Sequence, residues 1–298
     1  MRYLIGVDVG GTNIKAVLMD AKGKVVRKII KKTEKKHIEE EIIDLIKDLI
    51  EKSMINKKEI KGVGVGFPGL IDKKRERINI LPNIKSFNDR NIKKHLQKKT
   101  GLKTRIENDA KCSAIAESMF GSGKKQENFV LLTIGTGIGG GIIINNNLYI
   151  GEGNAGEFGH ITIQDPGGRK CSCGNKGCLE EYISKKGIMK NAEEAGIDIS
   201  KIKDLYQLYE LAKKGNKKAL KTFENSGVYL GKGLSHIVKS FDPEAIIING
   251  GIANSSKFIF PYARKEMKKG VFFKTNCKIK KGKFGDFAGA VGAGCLWL

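Results

Sequence analysis

The chain has 298 residues, 40% hydrophobic and 29% charged, which is enough for two ordinary domains with buried cores. No apolar run approaches the roughly 20 residues needed to span a bilayer, so an integral membrane protein is not expected. The net charge is +23, but only eight of the 55 basic residues are arginine; scattered lysines suit encounter with anionic nucleotides better than a dedicated nucleic-acid reader, which leans on the bidentate arginine fork.

The first stretch, YLIGVDV, is already an apolar strand, and no charged segment leads into a long apolar run. The expected compartment is the cytoplasm, where thiols stay reduced. IKAVLMD follows a glycine turn and AKGKVVRKII follows a turn at Lys22-Gly23; both read as strands. HIEEEIIDLIKDLIEKSMI then sets Ile38, Ile42, Leu45, Ile46, Leu49 and Ile50 at helical spacing. IKGVGVGFPG reads as a buried strand ended by Gly-Phe-Pro-Gly. The pattern recurs from 129 to 153 as strand, glycine turn, strand and turn. Helices are predicted over 203–212 and 216–240, a strand over 245–250 and another helix over 255–269. One large unit used twice predicts an α/β fold of two halves enclosing a cleft. The predicted division is 1–110, open to completion by a C-terminal helix at 288–298, and 111–287.

Two glycine-rich turns carry the first chemical signal. In VDVGGTNIK, Asp8 ends a strand and Gly10, Gly11 and Thr12 make the turn. Glycine can bend at positive φ and approach a ligand closely, so exposed amides, the Thr12 hydroxyl and the Lys15 ammonium can meet phosphate oxygens. Asp8 beside them is suited to hold Mg²⁺ through water. TIGTGIGGG supplies Gly135, Thr136, Gly137, Gly139 and Gly140 at the equivalent place, and Gly250-Gly251 follow the strand AIIIN, where an adenine could lie on bare backbone. Neither a P-loop nor a strand–GxGxxG–helix dinucleotide unit is present.

KCSCGNKGC places Cys171, Cys173 and Cys178 within eight positions, with His160 eleven residues before the first. A reducing compartment disfavours disulfides, and the CxC pair is not a redox CxxC. Three thiolates and an imidazole would complete a closed tetrahedral Zn²⁺ site; incidental reduced thiols are the alternative.

DVGGTNIK, TIGTGIGGG and INGG together resemble the actin/hexokinase/Hsp70 superfamily, with its two ribonuclease-H-like halves. More narrowly, GFPGLID, LPN, ENDAKCSAIAE, GEGNAGEFGHITI, CSCGNKGCLEEYIS and AGAVGAG, in that order from end to end, resemble the ROK family of sugar kinases and repressors. The resemblance implies that Asp109 of the Asn-Asp pair is the catalytic base. It implies sugar contacts from Asn108, Glu157, His160 and Glu180, with Asn83 and the Gly69 backbone as further candidates. Where the family often has a tryptophan after LPN, the nearest aromatic here is Phe87. The resemblance also implies structural zinc on His160, Cys171, Cys173 and Cys178, holding the two glutamates that flank the loop.

The expected activity is ATP-dependent phosphorylation of a hexose at its 6-hydroxyl, glucose first, with ATP, Mg²⁺ and Zn²⁺ bound. N-acetylmannosamine, N-acetylglucosamine, fructose and allose are the alternative substrates on the same machinery. A sugar-sensing regulator is the alternative of another class, but such proteins carry an N-terminal helix-turn-helix, and here a strand begins at Tyr3. Family habit implies a homodimer or homotetramer.

Overall fold

A computed structural model describes residues 2–34, 37–80 and 91–298; Asn83 and Phe87 lie outside the described residues. Strands β1 (Tyr3–Val9), β2 (Asn13–Asp20) and β3 (Val25–Lys32) form an antiparallel meander and are followed by helix α1 (Ile38–Ser53). Strand β4 (Ile60–Phe67) leads into a small hairpin, β5 (Leu70–Ile71) and β6 (Ile78–Ile80). Helix α2 (Ile92–Thr100), strand β7 (Thr104–Asn108) and helix α3 (Asp109–Phe120) come next. The first sheet has the order β3-β2-β1-β4-β7, with β1, β4 and β7 parallel.

The second sheet repeats this plan. Strands β8 (Phe129–Ile134), β9 (Ile138–Ile144) and β10 (Asn147–Tyr149) are joined by β11 (Ala245–Asn249) and β12 (Lys278–Lys281) in the order β10-β9-β8-β11-β12. Again one flank is antiparallel and the other parallel. Helices α4 (Glu180–Ile183), α5 (Lys185–Glu194), α6 (Leu205–Lys213) and α7 (Lys217–Phe241) lie between β10 and β11 in sequence. Helix α8 (Ser256–Lys269) precedes β12, and α9 (Ala288–Cys295) follows it.

The chain divides into two compact units, residues 1–127 with 141–156 and 283–298, and residues 128–140 with 157–282. The first unit therefore runs past the boundary expected at 110. The reason is packing: α3 and α9 lie together on one face of the first sheet, where Leu4, Val17 and Met19 meet Ala116, Ala290, Val291 and Cys295. The opposite face carries Ile5, Val7, Val63 and Val65 against the apolar sides of α1 and α2. Strand β4, IKGVGVGF, shows the alternation plainly, with valines on the α1 face and glycines on the other. A Cβ on Gly64 would stand 1.7 Å from the Ala293 carbonyl oxygen, and one on Gly6 would stand 1.8 Å from that of Ala290. The glycines let α9 lie directly on the sheet.

Helix α2 and strand β12 sit where the sequence showed mainly lysine. Each buries a thin apolar stripe, Ile92 and Leu96 in one and Ile279 in the other, beneath charged neighbours. Among the described residues no helix is long and apolar enough to cross a membrane.

Candidate active site and metal centre

In the first unit, Asp8 lies near the end of β1, opposite Lys15 of β2. Burial pushes its carboxyl up to about 6, with Lys15 opposing and Asp286 adding to the shift. A Cβ on Gly289, in the first turn of α9, would stand 2.7 Å from the Asp8 carboxyl carbon, so the helix start presses on this acid. The turn after β1 closes through the Gly10 amide to the Asn13 carbonyl at 3.0 Å, and the Thr33 hydroxyl donates to the Gly10 carbonyl at 2.7 Å. Neither Gly10 nor Gly11 is left-handed, contrary to the positive φ allowed for this turn. Gly10 is needed for closeness instead, since a Cβ there would lie 2.7 Å from the Asn13 carbonyl oxygen.

Asn108 and Asp109 stand where β7 passes into α3. Asn108 is the helix cap: its Oδ1 accepts the amides of Ala110 and Lys111 at 3.0 and 3.1 Å. Its Nδ2 donates to the Gly69 carbonyl at 3.1 Å. With Asn108 capping, Asp109 occupies the first helical position, half-buried, its Oδ1 accepting the Ala110 amide at 2.8 Å. Two expected sugar contacts in this unit, Gly69 and Asn108, are thus brought together beside the expected base, Asp109. Residues that sequence reading passed over join them: the buried Lys111 ammonium donates to the Gly153 carbonyl, and Glu107 pairs with Arg75.

In the second unit, Gly135 and Thr136 are exposed in the turn between β8 and β9, closed by the Gly135 amide donating to the Gly137 carbonyl at 2.9 Å. The Glu180 carboxylate reaches this turn, accepting the Ile138 amide at 2.8 Å, and a Cβ on Gly137 would lie 2.6 Å from the same oxygen. Glu180 is therefore bound to the turn expected to meet phosphate, a contact the sequence did not reveal. Gly250, left-handed at φ 87°, follows β11 so closely under β8 that a Cβ would stand 2.3 Å from the Ile134 carbonyl oxygen. Gly139 and Gly140 lie within β9.

The cysteine loop brings four donors together. The ligand atoms of His160, Cys171, Cys173 and Cys178 all lie within 4.8 Å of one another. Cys171 Sγ is 3.6 Å from His160 Nδ1, and Cys173 Sγ is 3.7 Å from Cys178 Sγ. Zinc bonds of about 2.3 Å to sulfur and about 2.0 Å to nitrogen, at tetrahedral angles, separate ligand atoms by roughly 3.5–3.8 Å. The donor set therefore fits Zn²⁺ in kind, number and spacing, and all six cysteines of the chain are free thiols. Burial pushes the Cys178 thiol up to about 12; a cation among the sulfurs would reverse that preference. Left-handed Gly174 and Gly177 turn the loop, and the Gly177 amide donates to the Arg169 carbonyl at 2.8 Å. Arg169 fastens the loop to the helices through Glu194 at 2.7 Å, Asn191 at 2.8 Å and the face of Tyr182. Glu157 is exposed, three residues before His160.

The ROK family pattern matches residues 4–298. The chain belongs to the ROK family. Among ROK relatives, the glucokinase of Streptomyces coelicolor is 32% identical over 314 residues, covering 99% of this chain and 98% of that protein. The xylose repressor of Bacillus subtilis is 36% identical over 274 residues, covering 91% of this chain and 70% of the repressor. The structure of a ROK family glucokinase from Streptomyces griseus, in complex with glucose and AMPPNP, superposes with a TM-score of 0.86 at 30% identity, covering 99% and 98% of the two chains. The two five-stranded sheets are thus the actin-like ATPase fold of ROK glucokinases.

Proposed function

We propose that this protein is an ATP-dependent hexose kinase that phosphorylates the 6-hydroxyl, with glucose as the preferred sugar. The observation that carries the reading is near-complete coverage in both directions with a glucokinase that binds glucose and AMPPNP, coupled to a capped Asn108–Asp109 corner. Asp109 takes the 6-hydroxyl proton as that oxygen attacks the γ-phosphoryl group of ATP; the bond to the β-phosphate oxygen breaks, leaving hexose 6-phosphate and ADP. Asn108, the Gly69 carbonyl, Glu157, His160 and Glu180, with Asn83, match the ring hydroxyls. Each buried polar group left unpaired by the wrong epimer is costly, which is the source of selectivity.

The turns at Gly10, Gly11 and Thr12 and at 135–140, with Lys15, cradle the phosphates, their shape fixed by the Gly10, Gly135 and Ile138 amides held on Asn13, Gly137 and Glu180, and Gly250-Gly251 lie against the adenine. Asp8 would hold Mg²⁺, which neutralises phosphate charge when bound. His160, Cys171, Cys173 and Cys178 would hold Zn²⁺, which supplies rigidity rather than reactivity. With Nδ1 directed at the sulfurs, His160 keeps Nε2 for a sugar hydroxyl.

Similarity to xylose repressors favours a second reading, a sugar-responsive regulator. A coupled ADP-release assay over glucose, mannose, fructose, allose, xylose and the two N-acetylhexosamines separates them. Turnover with a hexose is expected; sugar binding without ADP release would transfer the case to the regulator.

A further inference from the structure

A carboxylate with no part in the chemistry above lies level with Asp8. Asp8 is aligned with Gly66 of β4, and Gly66 with Glu107 of β7, so the two acids share one row of the sheet with a glycine between them. Burial, then Glu107, Asp8 and Asp109, push the Cys112 thiol upward, so three carboxylates act on that one sulfur. A buried carboxylate such as Glu107 needs partners to keep its charge. Its Oε1 accepts the Asn108 amide at 2.9 Å, and its Oε2 meets Arg75 Nε at 2.7 Å.

Arg75 comes from the tip of the β5–β6 hairpin and is held in a left-handed conformation, φ 55°, uncommon for a residue with a side chain. Asp72 braces the tip: its Oδ1 accepts the amides of Glu76 and Arg77 at 2.7 and 2.6 Å, and its carbonyl accepts the Arg75 amide at 2.8 Å. Gly69, before β5, accepts Asn108 Nδ2. The hairpin thus grips the end of β7 twice, through Gly69–Asn108 and through Arg75–Glu107.

We propose that Arg75 is a positioning residue for sugar phosphorylation: through Glu107 it locks the hairpin to β7 and fixes the Asn108–Asp109 corner together with the Gly69 carbonyl. The proposal rests on the sugar-kinase reading. Arg75 acts through Glu107, and it touches neither the sugar nor the reacting atoms. Without Arg75, Glu107 is an unpaired buried anion and the end of β7 shifts toward water. Removing the Glu107 charge as well relieves that fault.

The test compares Arg75→Met and the double variant Arg75→Met/Glu107→Gln with the full wild-type chain. Hydrogen exchange on the ligand-free protein follows the Ala110 and Lys111 amides, held by Asn108, and the Glu76 and Arg77 amides, held by Asp72. Arg75→Met should accelerate both sets, and the double variant should recover most of the protection. In kinetics, Arg75→Met should lower kcat/KM for the hexose by about tenfold to a hundredfold, with the KM for MgATP unchanged, and the double variant should be the more active of the two. Wild-type exchange and wild-type hexose kinetics in Arg75→Met overturn the proposal, as does a double variant no better than the single one in both readouts. If the wild-type protein phosphorylates no sugar, the kinase reading falls, and the exchange measurement still decides whether Arg75 holds the corner.

Discussion

The Glu180 carboxylate accepts the Ile138 amide at 2.8 Å, joining the residue two places after Cys178 to the glycine turn that follows β8. One acid therefore touches both the cysteine loop's exit and the turn assigned to phosphate. Glu180→Ala should raise the KM for hexose and for MgATP together, each by about tenfold or more, the cost expected of a lost charged hydrogen bond. If only the hexose KM moves, the bond to Ile138 has no bearing on the nucleotide.

The metal assignment makes a separate demand. Purified protein should contain one zinc per chain, and Cys173→Ser should lower that content. Each of the two sheets has a core of its own, so global unfolding need not follow. The loop between His160 and Glu180 should loosen, and a displacement of about an ångström can cost about 10²-fold in rate. Elemental analysis that finds active enzyme free of zinc ends this assignment.

Asp109→Asn should reduce kcat by about 10²- to 10⁴-fold, the usual worth of a general base, while equilibrium sugar binding persists. Asn108 holds the Lys111 amide alone and shares the Ala110 amide with Asp109, and an asparagine at 109 keeps an Oδ1 acceptor, so α3 should keep its start. Calorimetry showing that the variant has lost sugar affinity in step with kcat would point to a binding role instead.

Asp8 gives a pH signature. Its folded pKa is raised from 3.8 to about 6, so folding favours the protonated acid. That contribution is complete below about pH 4 and is lost as pH rises through about 6. At neutral pH the buried carboxylate costs roughly 2–3 kcal/mol relative to a neutral isostere. Asp8→Asn should melt at higher temperature near neutral pH, with the gain shrinking toward pH 4, while kinase turnover collapses. An equal gain at both ends of that range would rule out titration of Asp8 as its cause.

Much of the first sheet was legible because its strands are short apolar runs separated by glycine turns, and α1 showed a full helical stripe. The grouping of His160, Cys171, Cys173 and Cys178 was legible because the four lie close in sequence and share metal-binding chemistry. Glu107 was not, because it pairs with an arginine on a distant hairpin, and no periodicity links the two. Glu180 could be read as an acid near the cysteines but not as a partner of Ile138, 42 residues away. The hairpin of β5 and β6 was too short to register, and lysines hid α2 and β12. Of the two reasons for glycine at position 10, the left-handed bend is not seen, and the close approach is made to the Asn13 carbonyl within the turn itself.

The helix that lies on Gly6 and Gly64 carries a consequence for synthesis. Strands β1 to β4 leave the ribosome early, yet the α9 residues that cover Leu4, Val17 and Met19 are translated only after the whole second sheet. Until then a growing chain exposes the part of this glycine-lined face that α3 leaves uncovered, the kind of surface that recruits chaperones or neighbouring chains. The first unit begins first and is finished last.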